Sequence, residues 1–142
     1  MPTPNPTPAD LQEILQDTRT VAVVGASDNP NRPSNDVFGY LRRHSHYDLY
    51  PVNPTITAID GIAAYPRLAD LPIVPDMVDV FRRYEELPAV LDEILALPVR
   101  PRCLWLQQGL RHDRVAEQAR AAGLTVVMDR CLKVDYARLI GN

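Results

Sequence analysis

Cysteine is scarce in this chain: its 142 residues include two, Cys103 and Cys131. Two thiols are too few for a disulfide framework or for the ligand set of a structural zinc site. Lysine is scarcer still, with Lys133 alone among many arginines. Such a bias needs no function, and it warns against over-reading any single arginine. Positive charge is in deficit, with 15 Lys and Arg against 18 Asp and Glu and a net charge of −3. That balance gives no electrostatic case for nucleic acid or an anionic membrane surface as partner. No apolar run approaches the length of a membrane span, and no secretory pattern precedes the first expected helix, so the expected location is cytoplasmic. A hydrophobic fraction of 46% fits an ordinary globular domain, and the length fits one domain with a full core.

The chain is organised around Thr20–Ser27 and the segment Asp28–Ser34 that follows. Thr20-Val21-Ala22-Val23-Val24 is a short β-branched and small apolar run, suited to a strand buried on both faces. Gly25 permits the sharp exit turn. Pro33 and Ser34 suit a helix start, one through its fixed φ and the other as a side-chain cap. The helix reads on through Val37, Tyr40, Leu41 and His44. A buried strand, a glycine turn and a helix N-terminus make an anion-binding corner, so the first expectation is a phosphate-bearing ligand. A dinucleotide fingerprint is incomplete there: only its first glycine is present, and Ser27 and Pro30 stand at the second and third positions.

Around that stretch, Met1 to Pro8 alternates proline with Thr and Asn, and residues 1–9 are expected to be a disordered tail preceding a domain over 10–142. Asp10 is the expected cap of a helix over Leu11–Gln16. Further strands are expected at Tyr47–Val52, Met77–Phe81, Cys103–Leu106 and Leu124–Met128. Helices are expected from Pro88, from His112 or Asp113, and over Val134–Ile140. Between Ile56 and Leu71 the chain reads as irregular, with a turn at Asp60-Gly61 and a short helical turn at Arg67–Asp70. Alternating strands and helices imply an α/β fold: a Rossmann-like three-layer sandwich with a five-stranded parallel sheet, expected in the order 3-2-1-4-5.

In such a sheet the strand C-termini share one edge, where ligands bind. Gly25, Ala26, Ser27 and Arg32 follow the first strand and Asn53 the second. Arg82 follows the third, Gln107 and Gly109 the fourth, and Asp129, Arg130 and Cys131 the fifth. Pro51, Pro54, Trp105 and Gly109 suggest walls shaped for something partly apolar. The end of the second strand matters most, because a dinucleotide site places a carboxylate there to hold the ribose. Here it reads Val52-Asn53-Pro54, and Asp48 lies at the other end. Asp79 sits inside a strand, so a buried carboxylate there calls for a partner, expected to be an arginine. His44, His46 and His112 read as structural, the last as a helix cap.

Five blocks carry a family resemblance: Val24-Gly25-Ala26-Ser27 with Arg32-Pro33-Ser34, then Tyr50-Pro51-Val52-Asn53-Pro54, Asp79-Val80-Phe81-Arg82, Leu104-Trp105-Leu106-Gln107-Gln108-Gly109 and Met128-Asp129-Arg130-Cys131. Together they resemble the stand-alone bacterial CoA-binding domain proteins, which are related to the CoA-binding domain of the succinyl-CoA synthetase α subunit. The resemblance runs from about Thr20 to Ile140. It implies a Rossmann-like fold and coenzyme A as ligand, without a definite reaction.

The residues suit that ligand better than NAD. The helix N-terminus and the Ser27 hydroxyl are placed to receive a pyrophosphate. A carboxylate beside a 3′-phosphorylated ribose would repel it, so Asn53 in its place is expected. Arg32 is either a bidentate phosphate partner or a solvated loop arginine. Asn53 and Pro54 are expected to border the adenosine, with Phe81 and Arg82 flanking it or the pantetheine arm. Gln107 and Gly109 are candidates to line the pantetheine channel. Cys131, beside Arg130 at a helix start, is either a packed thiol or a reactive one. The expected function is binding of CoA or a short acyl-CoA as a carrier, sensor or subunit. The alternatives are an enzyme that uses Cys131 in acyl or thiol–disulfide exchange, and a NAD(P)-binding redox sensor.

Overall fold

The computed structural model describes residues 5–141. The chain runs α1 (Pro8–Asp17), β1 (Thr20–Val24), α2 (Pro33–His44), β2 (Asp48–Val52), β3 (Ala58–Ile59), β4 (Ile62–Ala63), β5 (Met77–Val80), α3 (Leu87–Leu95), β6 (Cys103–Leu106), α4 (Asp113–Ala121), β7 (Thr125–Val127) and α5 (Leu132–Leu139). Two 3-10 turns, Leu68–Asp70 and Tyr84–Glu86, complete it. None of the described helices is long and apolar enough to cross a membrane.

Five strands form one parallel sheet in the order β2-β1-β5-β6-β7. Alternate residues serve opposite faces. Ala22, Val24, Val78, Val80, Leu104 and Leu106 meet α3 and α4 through Leu91, Ile94, Val115 and Ala119. Val21, Val23, Met77, Cys103 and Trp105 meet α1, α2 and α5 through Leu15, Phe38, Leu41, Leu132 and Tyr136. The Rossmann-like three-layer sandwich stands.

The strand order differs from expectation. Counting the sheet strands along the chain, it is 2-1-3-4-5 and not 3-2-1-4-5. The reason lies in β2. Pro51 has no N–H to donate, so its strand belongs at an edge. The Val52 carbonyl faces inward to the Gly25 N–H (2.9 Å), whereas the Pro51 carbonyl faces outward and accepts from Tyr65 N–H (2.9 Å). Tyr65 and the β3–β4 hairpin finish that rim, and the Asp60-Gly61 turn closes the hairpin with both residues at positive φ. The chain then crosses to the far side of β1 to build β5. Right-handed crossovers in opposite directions put α2 on one face and α3 and α4 on the other.

Smaller differences have local causes. The Thr7 hydroxyl accepts from Asp10 N–H at 3.2 Å, and Pro8 sits in the first turn, so α1 starts two residues ahead of Asp10. The Asn5 side-chain amide pairs with both the N–H and the C=O of Met128 at 2.8 Å. The expected disordered tail therefore does not extend through residue 9; residues 1–4 of it lie outside the described residues. In α2 the N-cap is Arg32, without a side-chain cap bond, and Ser34 is a buried residue inside the first turn and not the cap. The last helix starts at Leu132, with Cys131 at its N-cap.

Candidate functional site

β1 and β5 are neighbours, yet the chain leaves them in opposite directions, and this opens a crevice at the C-terminal edge. Its volume is about 1090 Å³, just above the usual range for small-molecule sites. Gly25 sits at its floor with φ 85°, and a Cβ there would lie 2.1 Å from the Phe81 carbonyl oxygen. Only glycine lets the β1 exit pass so close to the β5 exit. A smaller cavity of about 560 Å³ lies at the opposite end of the sheet, between α1, Arg102 and Thr125. That cavity is lined by α1 and by the starts of β6 and β7.

Of the sequence candidates, Gly25, Ser27, Arg32, Ser34, Asn53, Phe81, Arg82, Gln107 and Cys131 all line the crevice. Ala26 is fully buried behind it. Pro54 is exposed outside it, and Gly109 is likewise exposed, its N–H donating to Asp129 Oδ1 at 2.7 Å. Gly109 shapes a loop with φ 90°, and its neighbours Gln108 and Leu110 reach the crevice instead. Arg130 is also outside. Its guanidinium is clamped bidentately on the buried Asp135, at 2.6 and 2.8 Å, which holds the Arg130 pKa up. A committed fork of that kind is not free for a phosphate or for the Cys131 thiol. Trp105 is no wall: it is fully buried and donates Nε1–H to the Arg130 carbonyl at 2.8 Å.

The loop after β1 is held by amides. Asn35 Nδ2 donates to the Ser27 carbonyl at 2.9 Å and Asn53 Nδ2 to the Ala26 carbonyl at 2.8 Å. The Ser27 Oγ accepts from Asn29 N–H at 3.1 Å, which leaves its own O–H to donate. Asn53 Oδ1 accepts from both the N–H and the hydroxyl of Thr55, at 2.9 and 2.8 Å. Thr55 is a crevice residue that sequence reading missed, although Asn-x-Thr is a legible Asx-turn pattern. Asn53 thus secures the corner where a dinucleotide site would present a carboxylate.

Charge in the crevice is uneven. Its two carboxylates are occupied, Asp36 by Lys133 Nζ at 2.8 Å and Glu86 by the Arg83 backbone N–H at 3.2 Å. Arg32 and Arg82 also line it, and neither has an ion-pair partner among the described residues. The histidines are engaged elsewhere. His46 bonds the Thr18 carbonyl and the Tyr136 hydroxyl, His112 caps α4 by accepting from Val115 N–H, and His44 packs on Tyr40. The two cysteines are free and lie at opposite ends of the sheet, Cys103 buried at the start of β6 with its pKa pushed up by burial.

Asp79 overturns one expectation. It is fully buried in β5, and neither carboxylate oxygen has a hydrogen-bond partner among the described residues, so no arginine pairs with it. Burial drives its pKa well above the ordinary value. It lies on the α1–α2–α5 face of the sheet beside Val23 and Trp105, away from the crevice lining.

A crevice at the switch point of a 2-1-3-4-5 sheet defines a class of doubly wound α/β domain that takes its ligands at that edge. Within that class the chain belongs to the CoA-binding domain family, whose model matches residues 19–137. It is 41% identical over 135 residues to the uncharacterized protein YneT of Bacillus subtilis (strain 168), covering 94% of this chain and 96% of that one. Among solved structures, a Thermus thermophilus protein (cell-free ID.343) is 40% identical with a TM-score of 0.88, over 94% of this chain and 99% of the other. A hypothetical protein from Pyrococcus horikoshii OT3 is 32% identical with a TM-score of 0.88, over 99% of this chain and all (100%) of the other.

Proposed function

We propose that this chain binds coenzyme A, or a short acyl-CoA, in the crevice at the C-terminal edge of the sheet, as a carrier, sensor or subunit. The observation that carries this reading is the crevice's two arginines without ion-pair partners among the described residues, Arg32 and Arg82, together with an amide, Asn53, where NAD sites hold a carboxylate. A ligand with a pyrophosphate and a phosphorylated ribose needs cations and no negative group beside its sugar.

The crevice follows the strand exits from β2 through β1 and β5 to β6, three steps of ~4.8 Å each. Adenosine is assigned to the Asn53–Thr55 end and the pyrophosphate to Ser27 and the first turn of α2. Arg32 and Arg82 divide the phosphates between them, while Phe81 offers an apolar edge. Gln107, at the β6 end, is assigned to the pantetheine amides. Binding without turnover is favoured because each histidine is tied to a structural partner outside the crevice.

Titration calorimetry with CoA, dephospho-CoA and NAD tests the assignment. Affinity is expected to fall in that order, because the first step removes the 3′-phosphate and the second exchanges the pantetheine arm for a nicotinamide riboside. NAD binding as tightly as CoA would end the reading.

A further inference from the structure

Three groups of the crevice, Cys131, Gln107 and Ser34, have polar atoms turned to a ligand. Cys131 is half-buried, caps α5 and lines the cavity. Gln107 is 6% exposed, and its Oε1 is fixed by accepting Leu132 N–H at 3.1 Å, which leaves the amide NH₂ without a partner among the described residues. Ser34 is 4% exposed, lines the same cavity, and its hydroxyl makes no hydrogen bond to another described residue. Both donors open onto the crevice, so an acceptor arriving from outside can meet them at this wall. The Lys133–Asp36 pair at 2.8 Å ties the start of α5 to the start of α2 and fixes this wall.

We infer that Cys131 is an exchange site for the sulfur end of a CoA-type disulfide, and that the protein retains such a ligand covalently. This inference rests on the CoA reading above. The deprotonated Cys131 sulfur attacks one sulfur of a CoA disulfide, and the Cys131–CoA bond forms as the ligand's S–S bond breaks. The electron pair leaves on the second sulfur, which takes up the proton lost by Cys131 and departs as free CoA thiol. The ligand disulfide is itself the oxidant, so no other is needed, and excess thiol reverses the step. The Gln107 amide and the Ser34 hydroxyl supply donors around the pantetheine end while the sulfurs meet. Cys103, 1% exposed and at the far end of β6, serves as an internal control.

The test incubates the full chain with CoA disulfide or with glutathione disulfide and follows intact mass and peptide maps, alongside calorimetry with CoA. CoA disulfide is expected to modify Cys131 on the order of 10-fold faster or more than glutathione disulfide, since nucleotide binding holds the sulfurs together. Cys103→Ala should keep that rate and Cys131→Ser should give no adduct. Equal rates with the two disulfides, or no CoA adduct in a protein that binds CoA, would overturn the inference and leave the binding site standing. A protein that fails to bind CoA in the calorimeter removes both.

Discussion

At the scale of single residues, Arg32 and Asp79 show opposite ways in which a charge meets its surroundings. Arg32 is exposed at the mouth of the crevice and has no ion pair among the described residues, so its guanidinium is available to an incoming phosphate. Arg32→Ala and Arg82→Ala should each weaken CoA binding by about 1.5–3 kcal/mol, the worth of one charge-assisted contact, with little change in folding stability. Calorimetry on both variants, with urea unfolding as control, measures the two effects separately. Asp79 is sealed in the sheet and holds its proton to a higher pH than it does in the unfolded chain. The native state therefore binds one more proton between the ordinary value near 3.8 and the raised one, and stability falls as pH rises through that window. Tyr47 and Cys103 share its surroundings, and burial raises their pKa values too. Asp79→Val should flatten the dependence and stabilise the protein by roughly 1–3 kcal/mol at pH 8. Urea midpoints from pH 5 to 9 that fall equally in both proteins would remove the assignment. Neither the isolation of Asp79 nor the capture of Arg130 was legible in sequence. The first depends on which face three separate helices cover, and the second on a carboxylate one turn into α5 that no spacing rule couples to Arg130.

Elements were far more legible than their neighbours in space. The strand β6 matches its expected span residue for residue, and β1 likewise, because short β-branched and apolar runs bounded by turn residues leave little else to form. The order of strands was missed, although Pro51 carries the information: a strand that cannot donate at its centre has one rim facing outward. The hairpin beyond it was missed for a different reason. Its strands are two residues each and offer no period to read, and only the Asp60-Gly61 turn was visible. The Gly25 turn makes the sharpest prediction at this scale. Gly25→Ala would place a methyl 2.1 Å from the Phe81 oxygen and force an alanine to φ 85°. The β1 and β5 exits must then part, at a cost of about 1–3 kcal/mol in stability from strain alone, with loss of CoA binding. Retained CoA affinity in a folded Gly25→Ala protein would mean the ligand does not sit at this turn. At the other rim of the sheet, Asn5→Ala removes both amide bonds to Met128 and should cost about 1–2 kcal/mol. The faster exchange of the Met128 amide hydrogen would report it.

For the molecule as a whole, the two faces of the sheet are closed by apolar packing, and the open side is the edge where the strands end. Ligand binding then couples to global stability, because the crevice is built from the exits of β1, β2, β5 and β6 and from the first turns of α2 and α5. Unfolding any one of these elements dismantles the site. A ligand that binds only the folded chain adds RT ln(1 + [L]/Kd), about 2.7 kcal/mol at one hundred times its Kd. For a domain of this size that raises the melting temperature by roughly 5–15 °C. CoA should produce the full shift and dephospho-CoA a smaller one, while NAD at the same concentration should give little. The shift should also shrink as salt rises from 50 to 500 mM, since the assigned contacts are largely between arginine and phosphate. Sequence could place the residues of this edge because a parallel sheet brings every strand exit to one side. It could not say which arginines remain free there, since that is decided by carboxylates on α2 and α5 and in the Tyr84–Glu86 turn. A melting temperature that responds equally to CoA and NAD, or that is indifferent to salt, would mean that the free cations of the crevice do not select the ligand.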